Sequence, residues 1–185
     1  MIDHHYRCIF IHQRKAAGSS IITAFADEHP DVDKRRYNGG VLGKDWINRQ
    51  SPEDGYFVFS AVRNPFDRLV SAWKYLSSLR GLPLEEVLNN LPREGHDYRH
   101  ITKTQVEMIV SPASGRLIVE DLIRYEQLQS DFDRICGRLG KPKTQLKRVN
   151  RSDRDRDYRK YYTPELRALV EVIFKMDLDY FNYDF

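Results

Sequence analysis

Two cysteines in 185 residues are too few for a disulfide framework, and Cys8 and Cys136 lack the paired spacing of a metal site. Both lie in apolar segments, which favours buried free thiols. Long apolar runs are missing too. No stretch approaches the roughly 18 residues that a membrane-spanning helix needs, and the opening MIDHHYR lacks the form of a signal peptide. Nor does one sign of charge dominate: 30 Lys and Arg stand against 27 Asp and Glu, a net charge of +3. That balance argues against a nucleic-acid coat but suits a local basic pocket. No repeat, low-complexity tract or clear linker interrupts the chain, so a single domain over residues 1–185 is expected. What remains is a cytoplasmic enzyme or binding protein, with neither nucleic acid nor a membrane span among its expected partners.

What is present is an alternation of strand and helix patterns. Cys8–Ile11 (CIFI) is apolar without alternation, as in a strand covered on both faces of a parallel sheet. Tyr56–Val62 (YFVFSAV) predicts a second strand, and LIVEDLIRY contains a third. A helix is expected from Ser19 to about Glu28, with Ile21, Ile22 and Phe25 on one face. Another is spelled by NPFDRLVSAWKYLSSLRG, with Asn64 as N-cap, Pro65 at its first position, Asp67 in the first turn and Gly81 closing the end. PLEEVLNNL and KTQVEMIV predict shorter helices, DFDRICGRL a helix stopped at Gly140, and TPELRALVEVIFKMD a last one opened by Thr163 and Pro164. Residues 30–55, rich in Pro, Gly, Asn and Asp, predict a long loop. The expectation is an α/β fold with a small central parallel sheet flanked by helices.

Two junctions in this pattern carry chemistry. Residues 12–20 read HQRKAAGSS, between the first strand and the first helix. Small residues let a ligand approach the backbone closely, and a helix start offers unpaired N–H groups to an anion. Lys15 precedes Gly18, the reverse of the GxxxxGK[ST] phosphate loop, so a nucleotide kinase or P-loop hydrolase is disfavoured. A tight turn with a solvated lysine is the plain alternative. At the second junction, Arg63 ends the second strand and Ser71 lies eight residues on, inside the next helix. Here the plain alternative is an arginine paired with a carboxylate and a serine chosen for helix packing. Together the two junctions make a pair of strand-end anion seats.

Two such seats, one with KAAGSS and one with RNPFDRLVSAW, resemble the sulfotransferases that use 3′-phosphoadenosine 5′-phosphosulfate (PAPS), most closely the carbohydrate-type and bacterial members. FIHQRKAAGSS is similar to the family's FIHIPKTGGTS loop, and VRNPFDRLVSAWKY to its V-R-[ND]-P-x-x-R-x-x-S-x-[YW] element. RYEQLQSDF and the C-terminal YYTPELRALVEVIFKMDLDYFNYDF also resemble family segments, in the expected order. The resemblance implies a P-loop-like sulfotransferase fold. It also implies that Lys15 and the backbone of Ala16, Ala17, Gly18, Ser19 and Ser20 hold the 5′ end, while Arg63 and Ser71 hold the 3′-phosphate. Tyr125 is implied as a nucleotide contact. Separately from the resemblance, Arg148 or Arg151 in the RVNRS stretch is a candidate to close over the nucleotide, with a solvated loop arginine as the plain alternative.

There are departures. Arg14 stands where the family has proline, and Ala17 in place of glycine requires a negative φ. Many relatives carry a histidine after the first helix that acts as base, whereas the corresponding DKRRYNGG has Tyr37 or Asn38 there. Among Glu28, His29, Asp31 and Asp33, His29 is favoured as base, because an unperturbed imidazole titrates near pH 6.5. The expected activity is sulfuryl transfer from PAPS to a hydroxyl acceptor, carbohydrates included, with 3′-phosphoadenosine 5′-phosphate (PAP) as product and no metal required. The missing histidine keeps a second expectation open: a catalytically degenerate module of the same fold that binds a nucleotide or another anion.

Overall fold

An apolar run without alternation should be covered on both faces, and Cys8–Ile11 is buried at all four positions. The same holds for the six residues Phe57–Val62. In the computed structural model, which describes residues 1–34, 55–111, 115–147, 149 and 154–185, the main elements follow in the order β1 (Ile2–Asp3), β2 (Cys8–Ile11), α1 (Gly18–Ala26), β3 (Phe57–Val62), α2 (Pro65–Trp73), α3 (Leu84–Asn89), β4 (Asp121–Arg124), α4 (Leu128–Leu139), α5 (Pro164–Ile173) and α6 (Lys175–Phe181). Shorter helical turns lie between them, including one at Val106–Ile109. The four strands form one sheet in the order β1-β2-β3-β4. Strand β2 pairs parallel with β3 (Ile9 opposite Val58), and β3 pairs parallel with β4 (Phe59 opposite Asp121). The fold is therefore α/β with a mostly parallel sheet. Its antiparallel member, β1, is two residues long and leaves no periodic signal in the sequence.

The chain forms two compact units. One comprises Met1–Val62 and Glu107–Asn150, the other Arg63–Val106 and Arg151–Phe185. In the first, α1 and α4 bury Phe25, Phe132 and Ile135 in one cluster with the sheet residues Phe10, Phe59 and Ala61. The Ser60 hydroxyl donates to the Ile11 carbonyl (2.7 Å), tying the carboxyl end of β2 to β3. In the second unit, Phe66 and Leu69 of α2 share a core with Leu84, Val87, Ile101, Val170 and Phe174. Each large side chain buried this way contributes about 1.5–3 kcal/mol.

Two helix boundaries differ from expectation. Helix α2 ends at Trp73, and Leu76 takes extended backbone. The Trp73 indole donates to the Leu82 carbonyl (3.0 Å) and so holds the chain after it has left the helix. Gly81, with φ +85°, serves that turn rather than the helix end. The C-terminal pattern forms two helices, because Phe174 has φ −106° and ψ 22° between them with its ring wholly buried. Gly140 does close α4, in the left-handed conformation. Residues 35–54 of the expected long loop lie outside the described residues.

One ion pair in the first unit is unusual for its burial. The side chain of Lys141 has no exposed surface, and its ammonium pairs with Glu28, just past α1. The Tyr6 hydroxyl donates to the other Glu28 oxygen. The Tyr6 and Phe25 rings lie 5.7 and 5.5 Å from the ammonium. Desolvation pushes the Glu28 carboxyl up, but the bonds from Lys141 and Tyr6 outweigh it and hold it below the ordinary glutamate value. A carboxylate with a lowered folded pKa stabilises the fold above its unfolded pKa and loses that contribution as pH falls through the folded one. Glu28→Gln should therefore cost about 2–3 kcal/mol at neutral pH, at or below the bottom of the roughly 3–5 kcal/mol range for breaking a fully buried pair, because Glu28 is partly exposed. The gap to wild type should narrow in acid, as the pH falls below the ordinary glutamate range towards the lowered folded value and wild-type Glu28 takes up a proton as well. Urea denaturation of both proteins at neutral and acid pH checks this, and a gap that is constant with pH would contradict it.

Candidate active site

Strand β2 must give way to α1 within a few residues. His12 and Gln13 remain buried, residues 14–17 turn, and the helix starts at Gly18. The turn uses left-handed backbone at two non-glycine residues, Lys15 (φ +67°) and Ala17 (φ +61°). The expectation of a negative φ at Ala17 is thus overturned. As N-cap residue, Ala17 takes the left-handed geometry usually given to glycine, with only a methyl group to resist it. Such residues cost about 1–2 kcal/mol each, here offset by packing. Ala16 between them is fully buried, and a methyl group on Gly18 would collide with the His12 ring. Glycine at 18 is required by the imidazole beside it.

The loop's shape suits an anion. Left-handed residues in a turn can aim backbone N–H groups into a concavity. The helix that follows has no side-chain cap and no acidic residue in its first turn, so nothing on α1 neutralises its positive end. The Ser20 and Ile21 amides donate to the Ala17 carbonyl (2.9 and 3.3 Å), which starts the helical ladder. Lys15 and Ser19 are half-buried, Ser20 buried. Because β2 and β4 both run parallel to β3, their carboxyl ends lie on one edge of the sheet. The Lys15 loop leaves that edge from β2. Tyr125, half-buried, leaves it from β4 and opens the short turn Tyr125–Gln127.

His29 is not at this edge. It follows α1, whose nine residues span about 13 Å, so the helix separates it from the Lys15 loop. There it stacks on His5 (ring centroids 4.2 Å apart, 29°) and meets the edge of Tyr6. Its Nε2 lies 3.9 Å from Glu28, beside the Lys141 ion pair. The structure therefore sets the expected base apart from the loop: His29 packs an aromatic cluster at the far end of the helix. Tyr37, Asn38, Arg148 and Arg151 lie outside the described residues.

In the second unit, Arg63 precedes α2 and is buried, as is Ser71 on the helix. Asn64 caps that helix through its side-chain oxygen, which accepts from the Phe66 amide (3.0 Å). Its amide nitrogen donates to the Asp184 carbonyl (2.7 Å) and the Tyr158 hydroxyl (3.2 Å). The Arg63 backbone is clasped by one side chain. Its N–H donates to Gln105 Oε1 (2.9 Å), and its carbonyl accepts from Gln105 Nε2 (2.9 Å). Gln105 is fixed in turn by Asp177, fully buried, which accepts from the Gln105 and Val106 amides (2.9 Å each). The Arg63 guanidinium folds onto Asp67 one turn into α2, with Nε at 2.8 Å and Nη2 at 2.6 Å from Oδ2. The other oxygen, Oδ1, faces Arg154 Nη2 at 2.6 Å. Arg63 thus makes the carboxylate pair of the plain alternative, on a helix that also presents Ser71.

Four of these residues were not singled out as site residues by sequence: Gln105, Asp177 and Arg154, and Asp67 as the partner of Arg63. For Asp67 the signal was available, since it stands four residues after Arg63. For Gln105 and Asp177 no local pattern exists, because their partners are 42 and 72 residues away. Among the described residues no group of three His, Cys, Asp or Glu side chains could hold a metal ion, and no helix is long and apolar enough to cross a membrane.

A family model described as "Sulfotransferase family" matches residues 1–99, a stretch that holds the Lys15 loop, Arg63 and Ser71. No curated protein and no solved structure matches the chain.

The contact between Gly18 and His12 can be tested without any ligand. Gly18→Ala should lower stability by about 1–3 kcal/mol, the usual range for overpacking. In the His12→Ala background the same change should cost clearly less, since the ring that blocks the methyl group is gone. A double-mutant cycle by chemical denaturation measures this, and strict additivity would show that the loop yields elsewhere.

Proposed function

The chain belongs to the sulfotransferase family, and from that premise we propose that it transfers a sulfuryl group from PAPS to a hydroxyl acceptor, carbohydrates among the acceptors this allows, in a cytoplasmic setting suited to its two free thiols. The observation that carries the reading is the Lys15 loop. It is a turn with two left-handed residues at the carboxyl end of a parallel strand, opening an uncapped helix with a cation on its strand side.

In sulfuryl transfer the acceptor oxygen bonds to sulfur as the bond from sulfur to the bridging oxygen breaks, the acceptor's hydroxyl proton is released to solvent, and negative charge collects on the bridging oxygen by analogy with phosphoryl transfer. Lys15 meets the developing charge, with the N–H groups of Ala16 to Ser19 as fixed donors beside it, a preorganised arrangement that strengthens toward the transition state; the Ser20 amide is already engaged by the Ala17 carbonyl. Arg63 and Ser71 hold the 3′-phosphate, which does not react, so their part is to position the donor. Tyr125 is assigned to the nucleotide. Incubation with PAPS and a panel of hydroxyl acceptors, read by mass spectrometry, tests the activity: a sulfated product together with PAP is expected. The position of His29 away from the Lys15 loop supports a second reading, a nucleotide-binding module without turnover. That reading predicts PAP binding with no sulfated product.

Two substitutions separate the roles. Lys15→Ala should cut turnover by about 10² or more while PAP affinity falls far less, because its main partner is transition-state charge. Equal losses in both would make Lys15 an anchor.

Arg63→Ala should weaken PAP binding well over tenfold and erase the preference for PAP over AMP. Truncating one partner of a buried charged pair costs roughly 2–5 kcal/mol. Arg63→Lys should recover part of the preference, since lysine lacks the planar donor fork, and Ser71→Ala should cost less than either. Calorimetric titration with both nucleotides decides it; a wild type that binds PAP and AMP equally removes the 3′-phosphate from Arg63.

A further inference from the structure

The Arg63 guanidinium does not stand alone. Two of its nitrogens lie on one oxygen of Asp67, and Arg154 takes the other oxygen, with the three side chains only 4, 11 and 9% exposed. A carboxylate held on both oxygens has little freedom to rotate. Asp67 and Ser71 are four residues apart on α2 and therefore share a face, about 6 Å apart along the axis. The carboxylate thus draws the Arg63 fork down onto the helix face that carries Ser71. Gln105 fixes the backbone of the same residue from the other direction. The arginine is anchored at both ends, its main chain by an amide and its guanidinium by a carboxylate.

An acidic side chain at a phosphate seat is costly if charge alone governs binding, since it repels the ligand. We propose that Asp67 is a positioning residue for the 3′-phosphate: it sets the Arg63 fork beside Ser71, with Arg154 locking the carboxylate, and so gives the seat its preference for a 3′-phosphorylated nucleotide. The inference rests on the reading of Arg63 and Ser71 as the 3′-phosphate seat. Positioning and charge predict opposite signs when Asp67 is neutralised. Asp67→Asn keeps the shape and adds one net positive charge. A seat working by charge would bind PAP more tightly; a seat working by geometry binds it less well, because the fork loses its guide.

Titration of the full chain with PAP and with AMP tests this. For Asp67→Asn, PAP affinity should fall tenfold or more while AMP affinity stays within a factor of two, so the preference shrinks. Asp67→Glu, which keeps the charge on a longer arm, should restore part of it. A merely structural role would lower PAP and AMP binding together. Parallel loss of both therefore overturns the proposal, as does unchanged or tighter PAP binding. Should Asp67→Asn fail to fold, Arg154→Ala decides the matter: with the carboxylate released on one side, the PAP preference falls at least threefold, and an unchanged preference overturns the role. A wild type with no preference for PAP is a different failure, since it removes the 3′-phosphate reading itself.

Discussion

The second unit is organised around one carboxylate that water does not reach. Asp177 has no exposed surface, and a buried ionised group is tolerated only when its lone pairs are met by donors. It meets that condition with the amides of two consecutive residues and the side chain of Gln105. Burial pushes the carboxyl up from the ordinary aspartate value, and the Arg68 charge and these hydrogen bonds pull against it. Arg68 is itself fixed, donating to the Lys103 carbonyl and lying over the Phe174 ring. Removing the carboxylate would leave Gln105 without its hold, and with Gln105 the Arg63 backbone. A residue in the last helix thereby sets the start of α2, and through it the direction in which a nearby arginine points.

The first unit solves a similar problem with backbone in place of charge. Its loop must turn sharply from strand to helix while staying open to a ligand, and left-handed residues make that turn at a cost in local free energy. Close packing retains the shape, with Ala16 in the core and the His12 ring against Gly18. Both solutions place rigidity behind the polar groups, so the geometry is set before a ligand arrives. Preorganisation of this kind is what makes fixed dipoles effective against developing charge.

Much of the architecture was legible in the sequence because it follows from local rules. The unalternating CIFI and YFVFSAV runs became strands covered on both faces, and Asn64, Pro65 and Asp67 took their expected places at the start of α2. Gly140 ended its helix as a left-handed cap. Periodicity could not show where tertiary contacts cut a helix short, as at Trp73, or split one, as at Phe174. For the candidate site, residue type and spacing singled out Lys15, Arg63 and Ser71 but were silent about what holds the Arg63 backbone, since Gln105 and Asp177 act across long stretches of chain. His29 shows the converse limit of sequence reading. Its place after the first helix suggested a base, but the length of that helix separates it from the Lys15 loop.

The left-handed backbone at Lys15 and Ala17 also bears on how this segment can vary over generations. At Ala17 a β-branched residue would meet its own backbone, which leaves alanine, glycine, asparagine and aspartate as the readily tolerated set. At Gly18 the neighbouring imidazole excludes every side chain unless His12 shrinks in the same lineage. Drift through this loop is therefore correlated: change at 18 must follow change at 12. The positions most open to substitution are those whose side chains face away from the turn.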